Sequence, residues 1–184
     1  ADIIIPSACF GTIRAPASKS RWQRGCAAAL LNEGETVILN PGKSNDDLAG
    51  LTVIRNLGAT IEIMENGLRI ISEGSMHSSG EINCGESGLG IRMFAPIAAL
   101  SPGEIIINGS GSLLSRPMNF FDEIFPQLGV LIQSTNGRLP IKIKGPLVPK
   151  DITIDGSLSS QFLTGILFAY GKATTGPVTI TVNN

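Results

Sequence analysis

The chain has 184 residues, 22 of them glycine, with 14 basic and 15 acidic side chains and a formal net charge of −1. This balance excludes a nucleic-acid-binding protein driven by bulk charge, although it permits a local basic pocket. The length is sufficient to bury a real core, and the composition is typical of a compact glycine-rich α/β domain. No apolar run approaches the roughly 18 to 20 residues of a membrane span, so we expect no membrane partner.

The three cysteines and the single histidine limit the kinds of metal site, disulfide and catalytic site that the chain can form. Cys9, Cys26 and Cys84 have unrelated spacings, which indicate neither a disulfide framework nor a metal site. We therefore expect free thiols in a reducing compartment, the cytoplasm. His77 lies in a polar loop, and with one histidine we expect neither a histidine-centred triad nor a histidine-rich metal site.

The first part of the chain predicts alternating strands and helices that end in a hairpin. In chain order these are strands at 2–6 and 11–14, a helix at 18–31, a strand at 35–40, a helix at 44–56, and hairpin strands at 59–64 and 68–72. Ser44 begins the second helix, and Asp47 follows three residues later as in a capping box. The hairpin turns at Asn66-Gly67, which is a strong signal for a tight turn.

The same order of elements then returns. The second copy has a strand at 80–84, a helix at 87–100, a strand at 104–108, a helix at 116–128 and hairpin strands at 130–133 and 140–144; the third has a strand at 151–155, a helix at 159–171 and a strand at 177–182. The interval between the first two copies is about 70 residues. We therefore predict β-α-β-α-β-β units at about 11–75, 79–146 and 150–184. The third lacks its second helix and hairpin, so we expect the chain to be a fragment of a longer protein.

Each unit begins its first helix with small residues and hydroxyl groups. The three starts are Ala-Pro-Ala-Ser-Lys-Ser-Arg-Trp-Gln-Arg at 15–24, Cys-Gly-Glu-Ser-Gly-Leu-Gly-Ile-Arg at 84–92 and Ile-Asp-Gly-Ser-Leu-Ser-Ser-Gln at 154–161. Ser20, Gly88 and Ser160 occupy equivalent places, and Arg24 and Arg92 follow by one helical turn. Free N–H groups, the helix dipole and nearby cations attract an anion. If the units pack about a pseudo-threefold axis, the N-termini of these helices converge at one end of the domain and form one anion-binding site.

Arg116 stands beside Pro117 at the predicted start of the second unit's second helix. Proline suits the first helical position, so this placement fits a helix start geometrically. Two interpretations stay open at this point, a contact to an anion and an ordinary surface arginine.

Five motifs together resemble one known family. They are Pro-Ala-Ser-Lys-Ser at 16–20 with Arg24, Ser-Asn-Asp-Asp at 44–47, Gly-Glu-Ser-Gly-Leu-Gly-Ile-Arg at 85–92, Ser-Arg-Pro at 115–117 and Asp-Gly-Ser-Leu-Ser-Ser-Gln-Phe-Leu-Thr at 155–164. In this order and spacing the chain resembles the 5-enolpyruvylshikimate-3-phosphate synthase family. The resemblance implies an enolpyruvyl-transferase-like α/β (α+β) domain at 11–184, with β-α-β-α-β-β units about a pseudo-threefold axis and the third unit incomplete. It also implies a second domain outside this chain, against which residues 1–10 pack.

The resemblance further implies a reaction and a set of ligand residues. Members of the family transfer the enolpyruvyl group of phosphoenolpyruvate to the 5-hydroxyl of shikimate 3-phosphate and release phosphate, with no metal or organic cofactor. The implied ligands of shikimate 3-phosphate are Ser20, Arg24, Ser159 and Ser160, those of phosphoenolpyruvate are Gly88 and Arg116, and Lys19 and Gln161 contact both. The acid and base groups belong to the second domain, so no catalytic residue is assigned in this chain. We expect the chain alone to bind shikimate 3-phosphate weakly at best and to turn over nothing.

The chain departs from the family pattern near the expected phosphoenolpyruvate site. The family has Asn-Ala-Gly-Thr where this chain has Glu-Ser-Gly-Leu at 86–89, a proline at the position of Met93, and Pro-Gly where this chain has Pro-Ala at 16–17. Glu86 adds a negative charge, which costs affinity for an anion unless the carboxylate is paired or turned away.

Two other functions are weighed against this one. The first is a non-catalytic anion-binding module built from the same repeat. The second is the enolpyruvyl transferase that acts on UDP-N-acetylglucosamine, which typically has Lys-Asn at the position of Lys19-Ser20 and lacks the Ser-Ser-Gln signature.

Overall fold

A computed structural model describes residues 8, 10–13, 15–77 and 80–184. These residues form a mixed α/β fold, as the sequence predicts. Its elements are α1 Lys19–Leu31, β1 Glu33–Leu39, α2 Asn45–Asn56, β2 Thr60–Met64, β3 Gly67–Glu73, β4 Glu81–Asn83, α3 Gly88–Ala98, β5 Glu104–Asn108, a 3₁₀ helix Gly111–Ser115, α4 Asn119–Gln127, β6 Leu131–Thr135, β7 Arg138–Lys144, β8 Ile152–Asp155, α5 Ser160–Ala173 and β9 Ile180–Asn183.

The described sheets repeat one strand order. The first sheet has the order β1-β3-β2 and the second has the order β4-β5-β7-β6, so β5, β7 and β6 occupy the places of β1, β3 and β2. In the third sheet β8 pairs with β9 in parallel, as β4 pairs with β5. A helix connects each of these parallel pairs, α3 in one and α5 in the other. Strand order and direction therefore carry the repeat that the sequence shows.

The strands predicted before α1 are not part of the described sheets. The strand predicted at 11–14 is wrong for residues 11–13, which form a bend and an irregular segment, while Arg14 and the strand predicted at 2–6 lie outside the described residues. Phe10 and Ile13 are 94% and 91% exposed. Because this short segment buries no apolar side chain, it lacks the packing that stabilises a strand at a sheet edge.

The local signals for α2 and for the first hairpin are confirmed. The Ser44 hydroxyl accepts a hydrogen bond from the Asp47 amide at 3.3 Å, and the Asp47 carboxylate accepts one from the Ser44 amide at 2.9 Å. Both halves of the capping box are therefore present. The predicted hairpin of β2 and β3 is present, with Glu65-Asn66 as its turn and Gly67 as the first residue of β3, paired with Met64.

The predicted start of α4 is wrong. Arg116 follows the 3₁₀ helix in an extended conformation, and α4 begins only at Asn119. Two causes are visible. Pro117 disfavours a helical conformation for the residue before it. The Met118 amide donates to the carbonyl of Gly137 at 2.7 Å, a partner in the β6–β7 turn.

Helices α1, α3 and α5 contact one another in the core. Almost all of α3 is buried, and it packs against both α1 and α5. The contact with α5 is especially close at Gly165. A β-carbon added there would collide with the backbone oxygen of Arg92 and lie 3.0 Å from the Met93 α-carbon and from Pro96. This backbone-to-backbone contact sets the spacing of the two helices.

We predict opposite effects for two glycine substitutions in α5. Gly165→Ala should lower the free energy of unfolding by about 1–3 kcal/mol, because the methyl group forces α3 and α5 apart. Gly171→Ala is the matched control, since a β-carbon there meets nothing within 4 Å, and it should raise stability by about 0.5–1 kcal/mol through helix propensity. Urea unfolding followed by circular dichroism measures both. Equal effects of the two changes would contradict the close contact.

Candidate functional site

Two arginine side chains lie over the start of α3. A β-carbon added to Gly88 would be 2.5 Å from Nη1 of Arg116 and 3.0 Å from Nη1 of Arg92. Neither guanidinium forms an ion pair with a carboxylate of the described residues. Arg116 donates through Nη2 to the Ser112 hydroxyl at 3.2 Å, and Arg92 donates through Nη1 to Oε1 of Gln161 at 3.0 Å. Two cations without a counter-charge at a helix N-terminus attract an anion.

The surroundings of Arg92 oppose its positive charge. Burial lowers the pKa of Arg92, and the positive charge of Arg116 lowers it further. Its Nε atom is buried and has no hydrogen-bond partner among the described residues. Its guanidinium carbon lies 5.0 Å from the centre of the Phe162 ring, which supplies a cation–π contact. An anion between the two arginines would remove their mutual repulsion.

The start of α5 lies beside this pair of arginines. Ser159 is the N-cap of α5, and its hydroxyl accepts a hydrogen bond from the Gln161 amide at 3.2 Å. Ser160 is exposed at the first helical position. Because Gln161 also contacts Arg92, the structure brings Gln161, Gly88 and Arg116 together, with the two serines next to them.

The N-terminus of α1 also has N–H groups available to a ligand, although Lys19 beside them forms an ion pair. Nζ of Lys19 lies 2.7 Å from a carboxylate oxygen of Asp46, with 55% and 19% of the two side chains exposed. Arg24 donates to the backbone oxygen of Ser20 at 3.2 Å, so it lies along its own helix. Ser18, the N-cap, makes no capping bond through its side chain. The first N–H groups of α1 therefore remain available to a ligand.

One buried side chain connects the starts of three helices. Gln23 is fully buried, and its amide nitrogen donates to the backbone oxygen of Asp46 at 3.0 Å and to the Ser87 hydroxyl at 2.9 Å. Gln23 lies one turn after Lys19 on the same face of α1. The bonds thus hold the start of α1 against the starts of α2 and α3, and they connect the Lys19 region with the Gly88 region.

The sequence patterns predict no site role for Gln23 or Asp46, and they predict Arg92 only as a cation one turn after a helix N-terminus. A glutamine that follows Trp22 on the apolar face of a helix is a signal for a buried polar bridge, because such a side chain needs a partner. Asp46 lies within the Ser-Asn-Asp-Asp motif at 44–47, but the motif does not indicate its partner.

Glu86 is turned toward the 3₁₀ helix. Its carboxylate accepts a hydrogen bond from the Ser112 amide at 3.1 Å, at the N-terminal end of that helix. The extra negative charge is thus placed against backbone N–H groups, where it is favourable. This orientation meets the condition under which Glu86 is compatible with an anion bound nearby.

Other kinds of chemistry find little support in the described residues. Burial raises the pKa of the Cys26 and Cys84 thiols to about 12, with Asp47 adding to the effect at Cys26. Neither thiol is a nucleophile near neutral pH. Within the part of the chain that the structure describes, no three His, Cys, Asp or Glu side chains are grouped to hold a metal ion. No described helix has the length and hydropathy to cross a membrane.

Two cavities of the described structure lie away from the predicted ligand residues. One cavity of about 410 Å³ lies between the end of α4 and the β8–β9 sheet. A second, of about 340 Å³, lies between the ends of α1 and α5. Neither is lined by any of the eight predicted ligand residues. Arg92 and Arg116 line neither cavity.

The described residues thus form a mixed α/β fold in which two arginines lie beside a helix N-terminus, an arrangement suited to an anion. The model of the EPSP synthase (3-phosphoshikimate 1-carboxyvinyltransferase) family matches residues 4–184, and the chain belongs to this family.

Named relatives agree with the family assignment. The chain is 39% identical over 180 residues to a 3-phosphoshikimate 1-carboxyvinyltransferase of Methanocorpusculum labreanum, and 34% identical over 167 residues to one of Clostridium kluyveri. These matches cover 94% and 90% of this chain but 42% and 39% of the relatives. A solved EPSP synthase of Acinetobacter baumannii superposes with a TM-score of 0.80 at 26% identity, over 95% of this chain and 40% of that chain. The chain therefore spans less than half the length of the curated relatives it matches.

We predict that Gln23→Leu destabilises the fold by about 1–3 kcal/mol, because it leaves the Asp46 carbonyl without its donor and breaks the contact with Ser87. Gln127→Leu makes the same chemical change at an exposed position of α4 and should alter stability by less than about 0.5 kcal/mol. Urea unfolding measures both variants. A Gln23→Leu variant as stable as the control would show that the bridge is dispensable.

Proposed function

We propose that this chain is the part of a 3-phosphoshikimate 1-carboxyvinyltransferase that binds shikimate 3-phosphate and one side of phosphoenolpyruvate. In the family reaction the 5-hydroxyl of the first substrate attacks C2 of the second, and phosphate leaves the tetrahedral intermediate. The observation that carries the proposal is the pair of guanidinium groups of Arg92 and Arg116 beside Gly88, unpaired with any carboxylate of the described residues. Both substrates carry phosphate, and phosphoenolpyruvate also carries a carboxylate, so clustered cations match them.

The proposed ligand residues lie on three helix starts and on the loop before α4. Hydroxyl groups and free N–H groups at the starts of α1 and α5 suit the phosphate of shikimate 3-phosphate. Because Gly88 has no side chain, the Arg116 guanidinium and a phosphoenolpyruvate bound to it can lie close to the backbone, where a β-carbon would be 2.5 Å from Nη1 of Arg116. The proposed ligands are Ser20, Arg24, Ser159 and Ser160 for shikimate 3-phosphate, Gly88 and Arg116 for phosphoenolpyruvate, and Lys19 and Gln161 for both.

Substrate binding at Lys19 requires an exchange of partners. Lys19 is paired with Asp46. An ion pair exposed to this degree contributes about 0–1 kcal/mol, so a phosphate group can replace the carboxylate at small cost. Asp46 therefore orients Lys19 without preventing it from binding a substrate.

We further propose that the units at 11–75, 79–146 and 150–184 surround a pseudo-threefold axis. The shared strand order and the packing of α3 against α1 and α5 support this arrangement. In the same proposal residues 1–10 pack with a second domain, which supplies the acid and base groups and the other wall of the site. The chain's coverage of 42% and 39% of two relatives supports this division. The proposed location is the cytoplasm, for which the free thiols of Cys26 and Cys84 are suited.

Lys19→Ala in the full-length gene product should weaken shikimate 3-phosphate binding at least about tenfold, because a charged hydrogen bond to phosphate is lost. Lys144→Ala removes the same charge from an exposed position of β7 and should leave the affinity within about twofold. Isothermal titration calorimetry measures both. Equal affinities for the two variants would remove Lys19 from the site.

The 184-residue chain alone should release no phosphate from a mixture of shikimate 3-phosphate and phosphoenolpyruvate, because the acid and base groups of the reaction lie elsewhere. The full-length gene product should release it, and a colorimetric phosphate assay follows both. Release by the isolated chain would contradict the placement of those groups in a second domain. A full-length protein without activity would favour a non-catalytic module, and activity only with UDP-N-acetylglucosamine would favour the related transferase.

A further inference from the structure

We infer that Arg92 is a positioning residue, which holds the Gln161 side chain so that its NH₂ group faces the anionic substrates. The inference rests on the proposed function of Gln161 as a substrate contact. It assigns a role to an arginine to which the family resemblance gave none.

The direction of one hydrogen bond carries the inference. Nη1 of Arg92 donates to Oε1 of Gln161 at 3.0 Å, which joins α3 to α5. An arginine can only donate, so it can hold only the oxygen of the amide. With its oxygen held, Gln161 presents its NH₂ donors on the other side. The opposite orientation would direct the amide oxygen at a phosphate or carboxylate, and the two acceptors would repel each other.

Arg92 is itself held in place by its surroundings. It lies over the ring of Phe162, and that ring is stacked on Phe120 with 4.3 Å between centroids. The contact of Gly165 with the backbone of Arg92 fixes α5 against α3. The Arg92 side chain is thus held in a position from which it can orient the Gln161 amide. Arg24, one turn into α1, has no such partner and donates to its own helix.

A direct contact between Arg92 and a substrate is the competing explanation, and a double-mutant cycle separates the two. The variants are Arg92→Met, Gln161→Ala and both together, in the full-length gene product, with affinity for shikimate 3-phosphate measured by calorimetry. If Arg92 acts through Gln161, each single change weakens binding about tenfold and the double variant binds as weakly as Gln161→Ala alone. Arg92→Lys keeps a charged donor and should recover most of the affinity. Arg55→Met, at an exposed position of α2, is the control and should bind like the wild type.

A second measurement observes the amide directly. With ¹⁵N-glutamine labelling, the side-chain NH₂ of Gln161 should be ordered in the wild type and mobile in Arg92→Met, while the backbone signals of α5 remain. Gln161→Glu tests the same contact without altering the arginine. A carboxylate paired with Arg92 should raise the unfolding midpoint and weaken shikimate 3-phosphate binding.

The outcomes are distinguishable. If the affinity losses of the two single variants multiply in the double variant, the inference is overturned and Arg92 is a direct ligand. An unchanged affinity in Arg92→Met, or a Gln161→Glu variant with a lower unfolding midpoint, would also overturn the inference. A wild-type protein that binds no shikimate 3-phosphate would instead overturn the proposed function. If Arg92→Met does not fold, the Gln161→Glu result decides whether the contact exists.

Discussion

The arrangement of the helix starts depends on the buried amide of Gln23. A polar group without access to water must find partners inside the protein, and Gln23 finds them in the Asp46 carbonyl and the Ser87 hydroxyl. Because the surroundings have a low dielectric, these bonds are strong when complete and costly when broken. The positions of Lys19 on α1 and Gly88 on α3 are thereby set relative to each other. The same buried group that stabilises the core also places the charges of the candidate site.

The parts of the fold that follow from local rules could be predicted from the sequence. The capping box of Ser44 and the tight turn before Gly67 depend on residues a few positions apart, and both are confirmed. The start of α4 could not be predicted, because the Met118 amide is taken by a carbonyl in a distant turn. A strand at 11–13 failed for a related reason, since strand formation depends on a partner and on burial elsewhere in the fold.

In the candidate site, too, the sequence indicates the types of side chain but not the partners to which they bond. Sequence motifs indicated cations and hydroxyl groups at three helix starts, and the structure places Gly88, Arg116 and Gln161 together. The sequence did not indicate what each side chain bonds to, because Lys19 and Asp46 are separated by 27 residues and Arg92 and Gln161 by 69. A charged residue can be recognised by type, but its partner depends on packing.

The two arginines beside Gly88 also give the site a preference that does not depend on ligand shape. An anion near Arg116 is also attracted by the charge of Arg92, because both guanidiniums lie beside Gly88. A ligand with two separated anionic groups compensates both and removes the repulsion as well. Electrostatic attraction to this helix N-terminus therefore grows with the charge of an anion and does not depend on its carbon skeleton.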